Sequence, residues 1–89
     1  MQIEEIEKFL KKNTSDPSYV KISFKKREAI YGLFVADKDY VHLKSKNFWR
    51  IVPQSQFSAY SQSKNINLAK IFCGVEFSRL TLYKETFDL

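Results

Sequence analysis

Glycine, cysteine and histidine are scarce in this chain, and each shortage argues against a kind of site. Gly32 and Gly74 are the only glycines among 89 residues and stand 42 positions apart, so no glycine-rich turn that cradles a phosphate can form. The single cysteine, Cys73, excludes a disulfide within the chain. With only one histidine beside it, a zinc site is also disfavoured. We interpret Cys73, which has no neighbouring base in the sequence, as a buried and unreactive thiol.

Long apolar runs are also missing, which argues against a membrane segment. No stretch of the sequence approaches the roughly 20 apolar residues that span a bilayer. The first residues, MQIEEIEKFLKKN, are amphipathic and partly acidic, whereas a secretory signal has a basic start and an apolar centre. We therefore expect no membrane contact, and a reducing cytoplasmic compartment fits best.

The residues that are present predict one small folded domain with a basic body. Hydrophobic residues make up 44% and aromatic residues 16% of the sequence, enough for a modest core without disulfide or metal support. The formal charge of +5 is uneven, because residues 1–12 sum to zero whereas residues 20–70 carry a net +7. Such a balance favours a polyanion as partner, although a solvated lysine-rich surface explains it nearly as well.

Residues 57–72, FSAYSQSKNINLAKIF, contain Tyr60 and Lys64 in the spacing Y-x-x-x-K. This stretch resembles the catalytic segment of the short-chain dehydrogenase/reductase family, in which the tyrosine is the general acid or base and the lysine holds the nicotinamide ribose. That family also needs a glycine-rich turn inside a doubly wound sheet of roughly 150 residues. Neither can be built here, so we expect no dinucleotide cofactor and interpret the match as chance, with a polar loop or short helix in its place.

Apolar periodicity predicts an N-terminal helix followed by strands. A helix over residues 1–13 is indicated by four apolar side chains on one face, Ile3, Ile6, Phe9 and Leu10. NTSDP, residues 13–17, then predicts a turn. YVKISFKK alternates between apolar and polar residues, which is typical of a half-buried strand. AIYGLFVA is apolar on both faces and predicts a central, bent strand.

Three later segments complete the predicted sheet. DYVHLKSK alternates again and predicts a strand, with FWRIV as its hairpin partner. Residues 54–68 are polar and predict an insertion, helix or loop, in which the preceding Pro53 favours a short helix. VEFSRLTLYKE predicts a last strand with a bulge at Ser78 or Arg79, where the apolar phase shifts.

This order of elements predicts an α+β fold, mostly β, with a single domain over residues 1–89. The helix over residues 1–13 precedes a small, strongly bent five-stranded barrel over residues 19–83. Within IYGLFVADKDYVHL, Ile30 and Gly32 match the start of the first motif of the Sm/LSm/Hfq family. Within IFCGVEFSRL, a second motif is matched by Ile71, Phe72 and Gly74. The chain therefore resembles an Sm-like barrel, which implies a homo-oligomeric ring and binding of single-stranded RNA.

Three positions depart from the family's pattern. His42 stands where the family has Asn, Lys38 where it has Asp, and Cys73 where it has Arg. The resemblance nevertheless implies a nucleobase site at the ADKD turn and the residues after it. Tyr40, His42 and Lys44 would supply an aromatic ring, an imidazole and an ammonium there. The alternative is a plain solvent-facing strand.

Two further groups are candidate nucleic-acid contacts. Trp49 and Arg50 predict a second aromatic and basic surface, although tryptophan more often belongs to the core. Lys25, Lys26 and Arg27 form the densest charge run and are candidates for phosphate contact, or are simply solvated.

No set of residues predicts catalysis, and no cofactor is expected. The chain has no Ser/His/Asp set, carboxylate pair or metal-ligand spacing that stands out. The predicted function is therefore non-catalytic binding of single-stranded RNA by a homo-oligomer. The alternative is a protein-interaction or assembly module that binds no nucleic acid.

Overall fold

A computed structural model describes residues 1–13 and 19–82, in which an N-terminal helix precedes a five-stranded antiparallel sheet. The first helix, α1, spans Ile3–Lys12. Its start is closed by the backbone N–H of Gln2, which donates to Glu5 Oε1 at 2.8 Å, as in a capping box. The predicted helix is confirmed. The predicted turn at residues 13–17 lies, apart from Asn13, outside the described residues.

The strands are β1 (Tyr19–Phe24), β2 (Ile30–Val35), β3 (Phe48–Pro53), β4 (Lys70–Cys73) and β5 (Phe77–Leu82). They lie in the order β4-β3-β2-β1-β5, and every neighbouring pair is antiparallel. The predicted helix-plus-five-strand fold is confirmed, but the sheet is not closed, so β4 and β5 are its two edges. Two more helices, α2 (Tyr40–Ser45) and α3 (Phe57–Ser63), stand between strands.

The strand predicted for DYVHLKSK is wrong, because this segment forms α2. An alternation this short is compatible with the period of a strand and with that of a helix, and the burial of its side chains shows which of the two forms. Val41, expected to point inward, is 71% exposed. After the helix, Asn47 takes a left-handed φ of 62°, a common way for Asn to follow a helix end. The fifth strand is instead β4, which the sequence did not predict.

The core lies between α1 and one face of the sheet. It is built from eight buried side chains, Ile6, Val20, Ile22, Phe24, Trp49, Ile51, Phe77 and Leu80. Burial of each large apolar side chain contributes about 1.5–3 kcal/mol. Gly32 of β2 lies close to the Ile51 side chain of β3, and a Cβ at this position would collide with Ile51 Cγ2.

A bulge in β5 brings its apolar residues to the core. Ser23 pairs with Arg79 but Phe24 pairs with Phe77, so Ser78 is the extra residue on β5. The bulge predicted at Ser78 or Arg79 is thereby confirmed. It lets Phe77 meet Phe24 edge to face, with ring centroids 5.4 Å apart, while Arg79 stays exposed.

The insertion at residues 54–68 is largely helical, as Pro53 indicated. It consists of α3 between two short 3-10 turns, Gln54–Gln56 and Ile66–Leu68. Phe57 of α3 stacks on Tyr19 of β1 with ring centroids 4.3 Å apart. The insertion is thus anchored to the sheet.

Candidate nucleic-acid interface

The predicted group Tyr40, His42 and Lys44 does not share one strand face. In α2, residues four apart lie on one side of the helix and a residue two apart lies nearly opposite. Tyr40 and Lys44 accordingly come together, with Lys44 Nζ 5.5 Å from the centroid of the Tyr40 ring, whereas His42 is exposed.

Tyr40 and Lys44 mainly hold α2 to the rest of the fold. The Tyr40 ring meets Trp49 edge to face, with centroids 6.2 Å apart. Lys44 Nζ donates to Glu7 Oε2 of α1 at 2.6 Å. This hydrogen bond lowers the pKa of the Glu7 carboxyl from its ordinary value and raises that of the Lys44 ammonium. The charge of Lys44 is therefore already offset by a carboxylate within the chain.

Trp49 and Arg50 do not form the predicted exposed surface. Trp49 is 2% exposed, and its indole Nε1–H donates to Asn47 Oδ1 at 2.7 Å. Trp49 therefore belongs to the core, which was the alternative interpretation of this residue. Arg50 Nη2 donates to Asp39 Oδ2 at 2.8 Å, so its charge is also compensated.

The remaining predicted cations, Lys25, Lys26 and Arg27, are all exposed in the turn after β1. The backbone N–H of Lys25 donates to the Glu76 carbonyl at 3.0 Å. Because β1 pairs with β5, this bond places the turn next to residues that come 51 positions later in the sequence (76 − 25). The Arg27 guanidinium carbon lies 4.9 Å from the centroid of the Phe24 ring, a cation–π contact that restricts the guanidinium.

These residues surround a cavity of about 330 Å³, which we call the basic cradle. It is lined by Phe24, Lys25, Lys26, Arg27, Val75 and Glu76. Val75 is 56% exposed although it is aliphatic. The cradle thus combines three cations with an uncovered apolar surface and one carboxylate.

The far side of the basic cradle is fixed by the 3-10 turn Gly74–Glu76. The Gly74 N–H donates to the Asn47 carbonyl at 2.8 Å, and its own carbonyl accepts from the Met1 amine at 2.9 Å. A Cβ at Gly74 would collide with the Asn47 side chain and lie 2.6 Å from Ile6 Cδ1. Val75 and Glu76 are therefore held in a fixed position relative to the basic turn.

Positive charge continues from the basic cradle along the outer face of the sheet. Lys21 and Arg79 are both exposed, and the pairing of Lys21 with Thr81 and of Ser23 with Arg79 puts them on the same face. Among the ten basic residues between positions 20 and 70, only Lys44 and Arg50 have a carboxylate within 4.0 Å in the described part of the chain.

Sequence reasoning found the three cations of the basic cradle but missed Val75, Glu76 and Arg79. No local pattern marks them, because they join the site only through the long-range pairing of β1 with β5. The only related signal in the sequence was the shift in the apolar alternation at Ser78. It indicated that β5 bends there, but not which strand it would meet.

Comparisons with protein-family models, with curated proteins and with solved structures find no match. The described residues contain no helix with both the length and the apolar character needed to cross a membrane.

Proposed function

We propose that this protein is a non-catalytic, Sm-like binder of single-stranded RNA and that the basic cradle is its contact site. The observation that carries the proposal is the convergence of three exposed cations on a cavity with an uncovered apolar surface. Ammonium and guanidinium groups bind phosphates, while flat or apolar surfaces receive unstacked bases. Both parts of a nucleotide thus find a suitable surface within one cavity.

Each side chain of the basic cradle has a separate role in this proposal. Lys25 and Lys26 meet phosphates as mobile point charges. Arg27, restricted by its contact with Phe24, offers its plane to a base. Val75 covers the apolar surface of a base or ribose, and Glu76 accepts hydrogen bonds from base amino groups or a ribose 2′-hydroxyl. A single strand suits this site because its bases are free to leave the stack.

The proposal includes assembly into a homo-oligomer in the cytoplasm. Both edges of the sheet, β4 and β5, are unpaired within the described chain, and unpaired edges are templates for pairing with another strand. Ile71 on β4 is 52% exposed. This observation also favours the second candidate function, an assembly module without nucleic acid, which keeps the edge contacts but gives the basic cradle no ligand.

Fluorescence anisotropy with short oligo(U), oligo(A) and matched DNA, repeated over a salt series, tests the function. If Lys25 and Lys26 each neutralise a phosphate, log affinity should fall with log salt at a slope of about −1.4, since each contact on a single strand contributes roughly −0.7. Tighter binding to RNA than to DNA is expected. Absence of binding to every oligonucleotide at about 50 mM salt, where such contacts are strongest, would exclude nucleic acid and favour the assembly module.

A further inference from the structure

A second cavity, of about 280 Å³, lies at the opposite end of β1 from the basic cradle. We call it the aromatic pocket, and its main lining residues are Tyr19, Leu33, Val35, Phe57, Tyr60 and Lys64. Its Tyr19 and the Phe24 of the basic cradle are the first and last of the 6 residues of β1, a distance of about 17 Å at strand spacing. The two cavities are therefore separate sites.

The aromatic pocket is formed where α3 packs onto the sheet. The stacked rings of Phe57 and Tyr19, with centroids 4.3 Å apart, connect the helix to β1. Leu33 pairs with Tyr19 across the strands and adds an aliphatic surface. Tyr60 follows one turn after Phe57 and is half-buried. Aromatic rings and aliphatic side chains thus line the cavity together with Ser61 and Lys64, and its wall is mixed, with more polar than apolar surface.

The backbone of Lys64 is unusual and places a cation at the aromatic pocket. Lys64 ends α3 with a left-handed φ of 56°, a conformation in which glycine is favoured and a side chain is strained. Its Nζ lies 5.5 Å from the centroid of the Tyr60 ring. Strained residues in folded proteins often belong to functional sites.

Asn47, the other non-glycine residue with positive φ in the described chain, provides a contrast. Its side chain is bonded on both sides, accepting from Trp49 Nε1 and donating to the Met1 carbonyl, so the fold itself explains its conformation. The Lys64 ammonium has no carboxylate within 4.0 Å among residues 1–13 and 19–82. The backbone N–H of Lys64 donates to the Tyr60 carbonyl at 2.7 Å and closes α3, so the helix end accounts for the left-handed backbone, while the exposed ammonium stays available beside the cavity.

We propose that the aromatic pocket binds one flat ring that carries a negatively charged group. The ring packs among the aromatic and aliphatic side chains, the Lys64 ammonium meets the anion, and the Tyr60 hydroxyl donates a hydrogen bond to it. Concave sites where aromatic rings and polar groups converge are typical places for small ligands, and the mixed wall of this pocket suits a ring that also carries polar and charged groups. The volume is at the lower limit of such sites, about 300 Å³, so the cavity itself holds no more than one nucleotide.

This inference does not depend on the basic cradle. A ring with an anionic group could reach the pocket as a free small molecule or as one nucleotide of a bound strand. The two sources share the same chemistry at Tyr60 and Lys64. They differ in whether a longer strand binds the pocket more tightly than a mononucleotide does.

Titration of ¹⁵N-labelled protein with uridine 5′-monophosphate tests the pocket, with uridine and inorganic phosphate as separate probes. We expect saturable shifts of the backbone amides of residues 57–64 and 33–35 with the nucleotide, and weaker effects with either part alone. Lys64→Gln should weaken the binding about tenfold, as loss of one charge-assisted contact predicts. Lys46→Gln, a matched control at an exposed lysine that lines neither cavity, should leave these shifts unchanged.

Lys64→Gly separates binding from folding. Glycine adopts the left-handed conformation without strain, so this variant should keep or raise Tm while losing affinity to the same extent as Lys64→Gln. If the nucleotide shifts no amide of the pocket, or shifts them equally in Lys64→Gln and wild type, the inference is overturned. If it holds, repeating the titration with oligo(U) identifies the source: tighter binding indicates a strand, and equal or weaker binding indicates a free molecule.

Discussion

Individual polar side chains in this protein mainly connect elements that are distant in sequence. Asn47 is the clearest case, because its amide joins the Met1 carbonyl to the Trp49 indole while its backbone carbonyl receives Gly74. A buried donor left without a partner costs about 1–3 kcal/mol. The Trp49 ring is therefore kept in the core by a bond as well as by packing, and it is not available as a platform for a base.

Glu7→Gln should remove a pH-dependent part of the stability. Lys44 donates a hydrogen bond that lowers the pKa of the Glu7 carboxyl below its ordinary 4.5, and Glu7 raises the pKa of the Lys44 ammonium above its ordinary 10.5. The stability from Glu7 is fully present above pH 4.5 and is lost as pH falls through its lowered pKa. That from Lys44 is present below pH 10.5 and is lost as pH rises through its raised pKa.

Thermal unfolding over acidic and neutral pH measures this effect. The Tm of the wild type should exceed that of Glu7→Gln near neutral pH, and the difference should shrink once the pH falls below 4.5. Glu28→Gln removes an exposed carboxylate that has no ion pair among the described residues, so its Tm should follow the wild type. A difference between wild type and Glu7→Gln that does not vary with pH would contradict the prediction.

At the level of site residues, charge could be read from the sequence but pairing could not. The run Lys25 to Arg27 was identified correctly as exposed charge, because consecutive cations cannot all be buried. Lys44 and Arg50 carry the same charge but are bonded to Glu7 and Asp39. These carboxylates reach their partners only because of the positions of α1 and of the turn before α2 in the folded chain, and local sequence spacing does not determine those positions.

The elements differ in how well the sequence predicts them. α1, β1, β2, β3 and β5 have a clear apolar period or an apolar run, and all are present. α2 is short, so the period of its apolar residues is ambiguous. The one sign of a helix end is Asn47 after it, which takes a left-handed conformation in the structure. β4 has four residues and follows a polar insertion. Its strand conformation comes from pairing with β3, which is a tertiary effect.

The exposed edge at β4 leads to a prediction on assembly. Ile71→Lys places a charge on an edge strand, and lysine on an edge opposes pairing between chains. We expect the wild type to be an oligomer and the variant to be a folded monomer, because Ile71 is already half exposed. Size-exclusion chromatography with light scattering measures the mass, and circular dichroism checks the fold.

Val41→Lys is the matched control for this experiment. Val41 is also an exposed aliphatic residue, but it lies on α2 rather than on a sheet edge. This variant should retain the mass of the wild type. A wild-type protein that is monomeric at tens of micromolar, or dissociation by both variants alike, would contradict assembly through the β4 edge.

At the scale of the whole molecule, charge and shape combine in one region. The sheet brings the basic turn after β1 and the 3-10 turn before β5 together, and Lys21 and Arg79 extend the positive surface along its outer face. The net +7 of residues 20–70 was visible in the sequence and predicts attraction to a polyanion. Its concentration around an apolar cavity was not visible there, because Val75 and Glu76 are distant from the basic turn in sequence and join it only through the pairing of β1 with β5.

The central claim is that RNA binds at the basic cradle rather than to positive charge in general, and a pair of charge reversals tests it most directly. Lys26→Glu changes the cradle, while Lys38→Glu makes the same change in an exposed turn beyond the opposite end of β2. By anisotropy with oligo(U) at about 0.1 M salt, Lys26→Glu should weaken binding about tenfold or more, and over a salt series it should flatten the slope by about 0.7, one contact's worth. Lys38→Glu should change affinity by less than about threefold, since exposed charges further apart than the Debye length of about 10 Å interact weakly. Equal weakening by the two variants, with equal salt slopes, would contradict the claim.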